Sequence, residues 1–387
     1  MLVCVMVSGN SIPTYAKAIG ITDEFDGLEG DGKYLGQDYR KNYQLDVEKM
    51  GMTDVAEKAF NTLANGIFNM ICFVGLATVS VFYYAMDFDI AALLSPFIDT
   101  IQGTLRNNVF MPIFQLVLIG AFILAIVRFA RRDFIGIMEQ FGKVIFILVL
   151  SVLIVYDSSK FLSYATNITK SLAVSILTGV SGVDVSGESE EYAAGAAGVL
   201  WVSLVHAPWK SLEFEGYEYS EEDVEFFLSE TDEEVRAKKI EEIREDNKRA
   251  FEKSSSGRRI GQGIIIFLTM LIKCVVYIIV ALLQLVFQLF AIIYVLLAPI
   301  ILLLSLIPGY DFDLLGIWAK KILETQVGVL IITFSMGIMI LIDNLLQQLS
   351  QTFGWFVILI LQIVACTAMY LFRGQIFGAL NTIQGSM

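Results

Sequence analysis

Residues 263–307 are almost unbroken Ile, Leu, Val, Phe and Ala, and Pro308-Gly309 closes the run. As a single helix these roughly 45 residues reach about 65–70 Å, about twice the hydrocarbon thickness of a bilayer. The segment is either one very long helix or two crossings joined by almost nothing; the single crossing is preferred. Shorter apolar spans fall at 63–86, 109–127, 143–156, 327–346 and 353–372. The pattern predicts an all-α, polytopic integral membrane protein with about six transmembrane helices, one of them unusually long.

Orientation follows from the short loops, where Lys and Arg mark the cytoplasmic side. Arg128, Arg131, Arg132 and Lys143 place the loop between the second and third spans inside, and Lys320 and Lys321 do the same for 308–324. Residues 157–259 then lie outside and the N-terminus inside, with Arg258 and Arg259 left on the less expected face.

The chain divides into an N-terminal polar region (1–62), three spans (63–156), a central loop of amphipathic and charged helices (157–259), and the long helix with two further spans (260–387). Residues 1–18 read either as the remnant of a signal sequence or as a plain tail.

Within the central loop, Phe161, Ala165, Ile168, Leu172 and Ile176 share one helical face, which suits a helix lying in the membrane interface. Residues 193–207 are short for a crossing and read as re-entrant or interfacial, with Trp201 and Trp209 as belt residues. Ser220 and Thr231, each followed by three acidic residues, read as helix N-caps. The second helix is expected to reach Lys253.

Composition narrows the function classes. Hydrophobic residues make up 56% of the chain and charged residues 17%, with a mean hydropathy of +0.67. The net charge of −13 disfavours nonspecific binding of nucleic acid. Cys4, Cys72, Cys274 and Cys366 sit singly in apolar surroundings and read as small packing residues rather than as ligands or disulfides. With a single histidine, and with neither a phosphate-binding glycine loop nor paired catalytic carboxylates, the chain is read as a non-enzyme without a cofactor or metal.

Polar residues inside apolar spans are the remaining candidates, because they are costly in lipid. Lys273, Tyr277, Gln284 and Gln288 fall on one stripe of the long helix, lining a lumen or gluing helices together. Asp343 and Gln347 form an i, i+4 pair, read as a solvated helix end in preference to a proton relay. Gln362 reads as interhelical glue, and Asp311 with Asp313 as a solvated loop or N-cap rather than a metal site.

Tyr294-Val-Leu-Leu-Ala-Pro299, Leu306-Ile-Pro-Gly-Tyr310, Ala319-Lys-Lys-Ile-Leu-Glu324 and the 327–346 span resemble the TrbL-like polytopic channel subunit of type IV secretion systems, in the form carried by Gram-positive conjugative elements. Trp201-Val-Ser-Leu-Val-His-Ala-Pro-Trp209 and Val155-Tyr-Asp-Ser-Ser-Lys160 are similar to the same branch. The resemblance covers most of 105–373, and the 63–86 span is extra to the family pattern. It implies a subunit that helps pass relaxase-bound single-stranded DNA across the cell membrane and carries no catalytic residues. Implied partners are lipid, further copies of the chain, other secretion subunits and their ATPases, with DNA contacted only within the assembly. A small-solute or ion transporter, and a scaffold without a lumen, are the competing readings.

Overall fold

The computed structural model describes residues 25, 28–87, 90–183, 192–215, 219–248, 250–306, 313–349 and most of 357–368. The 1–18 segment, Pro308-Gly309, Asp311, Cys4, Cys366 and the side chain of Gln347 lie outside them. The described residues are mostly helical, with no strand among them.

Twelve main helices are described. They are α1 (Val55–Asp87), α2 (Ser95–Leu105), α3 (Met111–Ala130), α4 (Phe134–Val155), α5 (Ser158–Ser181) and α6 (Tyr192–Trp201). After these come α7 (Ala207–Glu213), α8 (Glu221–Ser229), α9 (Glu233–Asp246), α10 (Ser255–Leu296), α11 (Ala298–Leu306) and α12 (Asp313–Gln348). One π-helical turn, Arg106–Phe110, joins α2 to α3, and another, Val202–His206, joins α6 to α7.

Among the described residues, five stretches are long and apolar enough to span a membrane: α1, the run Ser95–Ala130, α4, α10 and residues Asp313–Leu346 of α12. The protein is a multi-pass membrane protein. The 353–372 span falls largely outside the described residues.

The chain forms two compact units from interleaved segments, unlike the four linear regions read from the sequence. The first comprises Met1–Asp87, Val174–Ala281 and Thr333–Met387; the second comprises Phe88–Ala173 and Leu282–Ile332.

In the first unit, α1 buries Phe68, Ile71, Cys72, Leu76, Val79 and Phe82 on one face, the three-to-four-residue spacing of an amphipathic helix. Ala193, Ala194, Ala196 and Ala197 of α6 are all buried, and their small side chains let α6 lie close to α1 and to the 3-10 turn Gly30–Leu35. At Gly75, an added Cβ would lie 2.5 Å from Val205 Cγ2 and 2.9 Å from Met270 Cε. Gly75→Val is therefore expected to cost about 1–3 kcal/mol through overpacking, read as a lower melting temperature of the detergent-solubilised protein. Gly66→Ala, which meets open space, is the control.

Trp201 and Trp209 are fully buried, so neither is a belt residue. Each ring lies edge-on to Tyr43, and their indole N–H groups donate to Tyr43 Oη at 3.2 Å and to the Gln44 carbonyl at 2.9 Å. Ser220 caps α8 as expected, with Asp223 completing the box. The next N-cap is Asp232, one residue beyond Thr231, and α9 ends at Asp246 rather than at Lys253.

In the second unit, α11 packs on α4, on α3 and on the Arg106–Phe110 turn. The core gathers Ile98, Phe110, Ile147, Val295, Leu302 and Trp318. The α3–α4 turn is pinned by Arg128 and Asp133: the Arg128 guanidinium donates to the Gly136 carbonyl at 2.5 Å, and Gly136 N–H donates to Asp133 Oδ1 at 3.0 Å. Arg131 and Arg132 are exposed at that turn. On α12, Lys320 is exposed and Lys321 lies 2.6 Å from Glu324. The outer faces of α3 and α4 expose Leu116, Ile119, Phe122, Ile126, Ile135 and Met138, as helices solvated by lipid do.

The long apolar run is continuous from Ser255 to Leu296, about 63 Å of helix, which rules out a hairpin within that stretch. It breaks at Leu297, just before Ala298-Pro299. Proline has no N–H to give the carbonyl four residues back, so Val295 loses its helical donor. Gln102 Nε2 replaces that donor at 2.7 Å, and Trp318 Nε1 donates to the adjacent Tyr294 carbonyl at 2.8 Å. Gln102→Leu should leave a buried carbonyl unmet and cost about 1–3 kcal/mol. Pairing it with Pro299→Ala, which restores the missing N–H, should recover part of the loss in the same melting assay.

Candidate functional site

A lysine and an aspartate in different apolar helices each need a partner, and the first unit supplies them to one another. Lys273 Nζ on α10 donates to Asp343 Oδ2 on α12 at 2.6 Å. Gln362 Nε2 donates to the other oxygen, Oδ1, at 2.6 Å, and Ser203 Oγ on the π-helical turn donates to Oδ2 at 3.2 Å. All four side chains are buried, Lys273 at 6% and Asp343 at 4% exposure. Asp343 is thus an acceptor for three donors in a closed site, not a solvated helix end, and Lys273 does not reach the interface.

The rest of the predicted stripe is distributed along α10. Tyr277, one turn from Lys273, is fully buried in the first unit, and Gln284 is buried in the second. Gln288 is half-buried, with its Oε1 3.5 Å from Ile90 N. Two grooves in the second unit, about 380 and 480 Å³, are lined by apolar side chains such as Phe122, Phe141, Phe161 and Trp318. They offer shape to acyl chains but little polar recognition to a solute.

Ser203 and Gln362 were not grouped with Lys273 and Asp343 in the sequence. The usable signal was charge balance: one basic and one acidic group, each alone in apolar surroundings, satisfy each other more cheaply than either does alone.

A second polar cluster ties the N-terminal segment to the central helices. Lys33 pairs with Glu225, Asp46 with Arg236, Glu48 with Arg244 at 2.6 Å, and Asp54 with Lys253 at 2.7 Å. Arg259 is fully buried; its guanidinium donates to the Asp46 carbonyl at 2.5 Å and the Glu213 carbonyl at 2.9 Å, with the Glu213 carboxylate 3.8 Å away. Burial first, and Asp46 second, push the Glu213 carboxyl well above the usual range, against the lowering effect of Arg259 and Arg236.

The chain's one histidine, His206, stacks on Tyr34 with centroids 4.0 Å apart, and its Nδ1 lies 2.8 Å from Tyr43 Oη. Burial, followed by the charges of Lys210 and Lys33, holds its pKa well below 6.5. An imidazole kept neutral when folded favours the unfolded, protonated chain in acid, so stability falls as pH drops below about 6.5. Replacing His206 with Gln is expected to flatten the slope of melting temperature against pH between 6.5 and 5; an unchanged slope would assign it to other groups.

Among the described residues, no group of three His, Cys, Asp or Glu side chains is placed to hold a metal ion. No family model, curated protein or solved structure matches the chain.

Proposed function

We propose that the protein is a membrane subunit of a conjugative type IV secretion assembly, helping relaxase-bound single-stranded DNA across the cell membrane. The observation that carries this reading is the union in one chain of spanning helices with apolar outer faces and a charged helical module fixed by buried ion pairs. Such a chain anchors in lipid and presents a polar docking surface, to other secretion subunits, to their ATPases and to further copies of itself.

The resemblance at Tyr294–Pro299 supports the same reading. A net charge of −13 argues that DNA does not lie directly on this subunit. In-frame deletion should abolish conjugative transfer while leaving growth intact; wild-type transfer by the deletion strain would defeat the proposal.

The Lys273–Asp343 pair favours a second reading, an ion- or proton-coupled transporter, because buried charges in spans commonly mark ion paths. That reading requires flux by the purified protein alone in liposomes, which a scaffold does not give.

A further inference from the structure

We infer that α5 is itself a transmembrane span, and that the N-terminal segment 30–54 and the charged helices α8 and α9 lie together on the cytoplasmic face. The inference rests on the membrane reading of the chain and adds the side on which its soluble partners dock.

Residues 30–54 bind the central helices through Lys33–Glu225, Asp46–Arg236, Glu48–Arg244 and Asp54–Lys253. Asn42 Nδ2 adds a 2.6 Å bond to the Leu228 carbonyl, and Glu48 N–H a 2.8 Å bond to the Phe251 carbonyl. Groups bonded in this way share one side of the bilayer. Among the described residues between 54 and 220, however, three stretches are long and apolar enough to cross: α1, Ser95–Ala130 and α4. An odd number of crossings would separate what the structure joins, so the chain crosses once more.

Helix α5 fits that fourth crossing. Its 24 residues span about 36 Å, enough for the hydrocarbon core. Tyr164, Ile168 and Leu172 are exposed, whereas Leu162, Thr166, Thr169, Ala173 and Leu177 are buried. The apolar face read from the sequence as interfacial is therefore partly an outward one, shared with exposed Asn167 and Ser175, and the Thr166 and Thr169 side chains sit on the protein side.

The Thr169 hydroxyl has acceptors there: Oγ1 lies 2.9 Å from the Ala165 carbonyl and 2.8 Å from Gln326 Oε1 on α12. Within the first unit the last turn of α5 lies along α12, with Val180 against Gly337 and Asn344 Nδ2 3.4 Å from the Ser181 carbonyl. α12 is a spanning helix, and a helix lying along it shares its passage. The rival fourth crossing, α6 through α7, is flanked by the Gly30–Leu35 turn that carries Asp31 and Lys33, which suits water rather than lipid.

The side follows from the short-loop cations. With four crossings, Arg128, Arg131 and Arg132 fall on the same face as segment 30–54, together with Arg258 and Arg259 at the start of α10. Lys160, Lys320 and Lys321 fall opposite. The more basic face is the cytoplasmic one. This reverses the outside assignment of 157–259 and the inside assignment of 308–324, and it removes the conflict at Arg258 and Arg259.

The test uses the full-length chain with its native cysteines replaced and one new cysteine at a time: Lys41→Cys, Arg131→Cys, Asp157→Cys or Glu233→Cys, all at exposed positions. Sealed right-side-out vesicles are treated with a membrane-impermeant maleimide before and after permeabilisation. Positions 41, 131 and 233 should label only after permeabilisation, and position 157 before it. Labelling of 41 and 233 from opposite sides, or of 157 and 233 from the same side, would overturn the fourth crossing. The mirror-image pattern would overturn the cytoplasmic assignment. Recovery of the protein in the supernatant of alkali-washed membranes would instead sink the membrane reading, and this inference with it.

Discussion

Lys273→Met should lower the stability of the detergent-solubilised protein by about 3–5 kcal/mol, because it strands the Asp343 carboxylate in a buried site. Gln362 and Ser203 would still donate to that carboxylate, but neither neutralises it. Asp343→Leu should do similar damage by stranding Lys273. The double variant, Lys273→Met with Asp343→Leu, should recover most of the loss, since an apolar pair of similar volume has no charge to desolvate. Melting temperature measures all three; a double variant no better than the singles would show that the charges are not what couples α10 to α12. The same variant separates the functional readings: a scaffold that melts normally should still support DNA transfer, whereas an ion-coupled transporter should be stable and inactive.

The sequence made the spans legible because lipid imposes length and apolarity together, and little else in a protein produces both. α10, α12 and the α3–α4 hairpin could all be read in this way. α5 was harder to read. Thr166 and Thr169 lower its hydropathy although they are buried against protein, so a scale that scores composition cannot see that Tyr164, Ile168 and Leu172 are the large side chains it turns outward. The same blindness applied to the 193–207 segment, where shortness suggested the interface. The structure instead encloses it between α1 and the Gly30–Leu35 turn, and Trp201 and Trp209 face protein.

Lys273, Asp343 and Gln362 were individually visible as costly polar groups; Ser203 was not. Nor was the meeting of the four, because 70 residues separate Lys273 from Asp343 and 140 separate Ser203 from it, and no local periodicity reports such a distance. Gln102 and Trp318 were missed for a related reason. Gln102 matters because Pro299, almost two hundred residues away, leaves the Val295 carbonyl without its donor, and Trp318 because it meets the neighbouring Tyr294 carbonyl at the same break.

Arg259→Met should be as damaging as the loss of Lys273, about 3–5 kcal/mol, for a reason that also predicts a pH response. Arg259 is held chiefly by two carbonyls, those of Asp46 and Glu213, so it joins the 30–54 segment and α7 to the start of α10. Its loss leaves both acceptors buried and removes the nearest cation from the Glu213 carboxyl. That carboxyl already binds its proton more tightly when folded, through burial first and Asp46 second. The stability it contributes is complete below the unfolded value of about 4.5 and fades as pH rises through the higher folded value. Without Arg259 the folded value rises further, so the Arg259→Met protein should lose more stability between pH 5 and 8 than the wild type does. Glu213→Gln, which keeps the shape and drops the charge, should flatten that dependence in both backgrounds. Melting curves across the pH range decide it: parallel curves for wild type and Arg259→Met would mean that Glu213 is held by something other than this guanidinium.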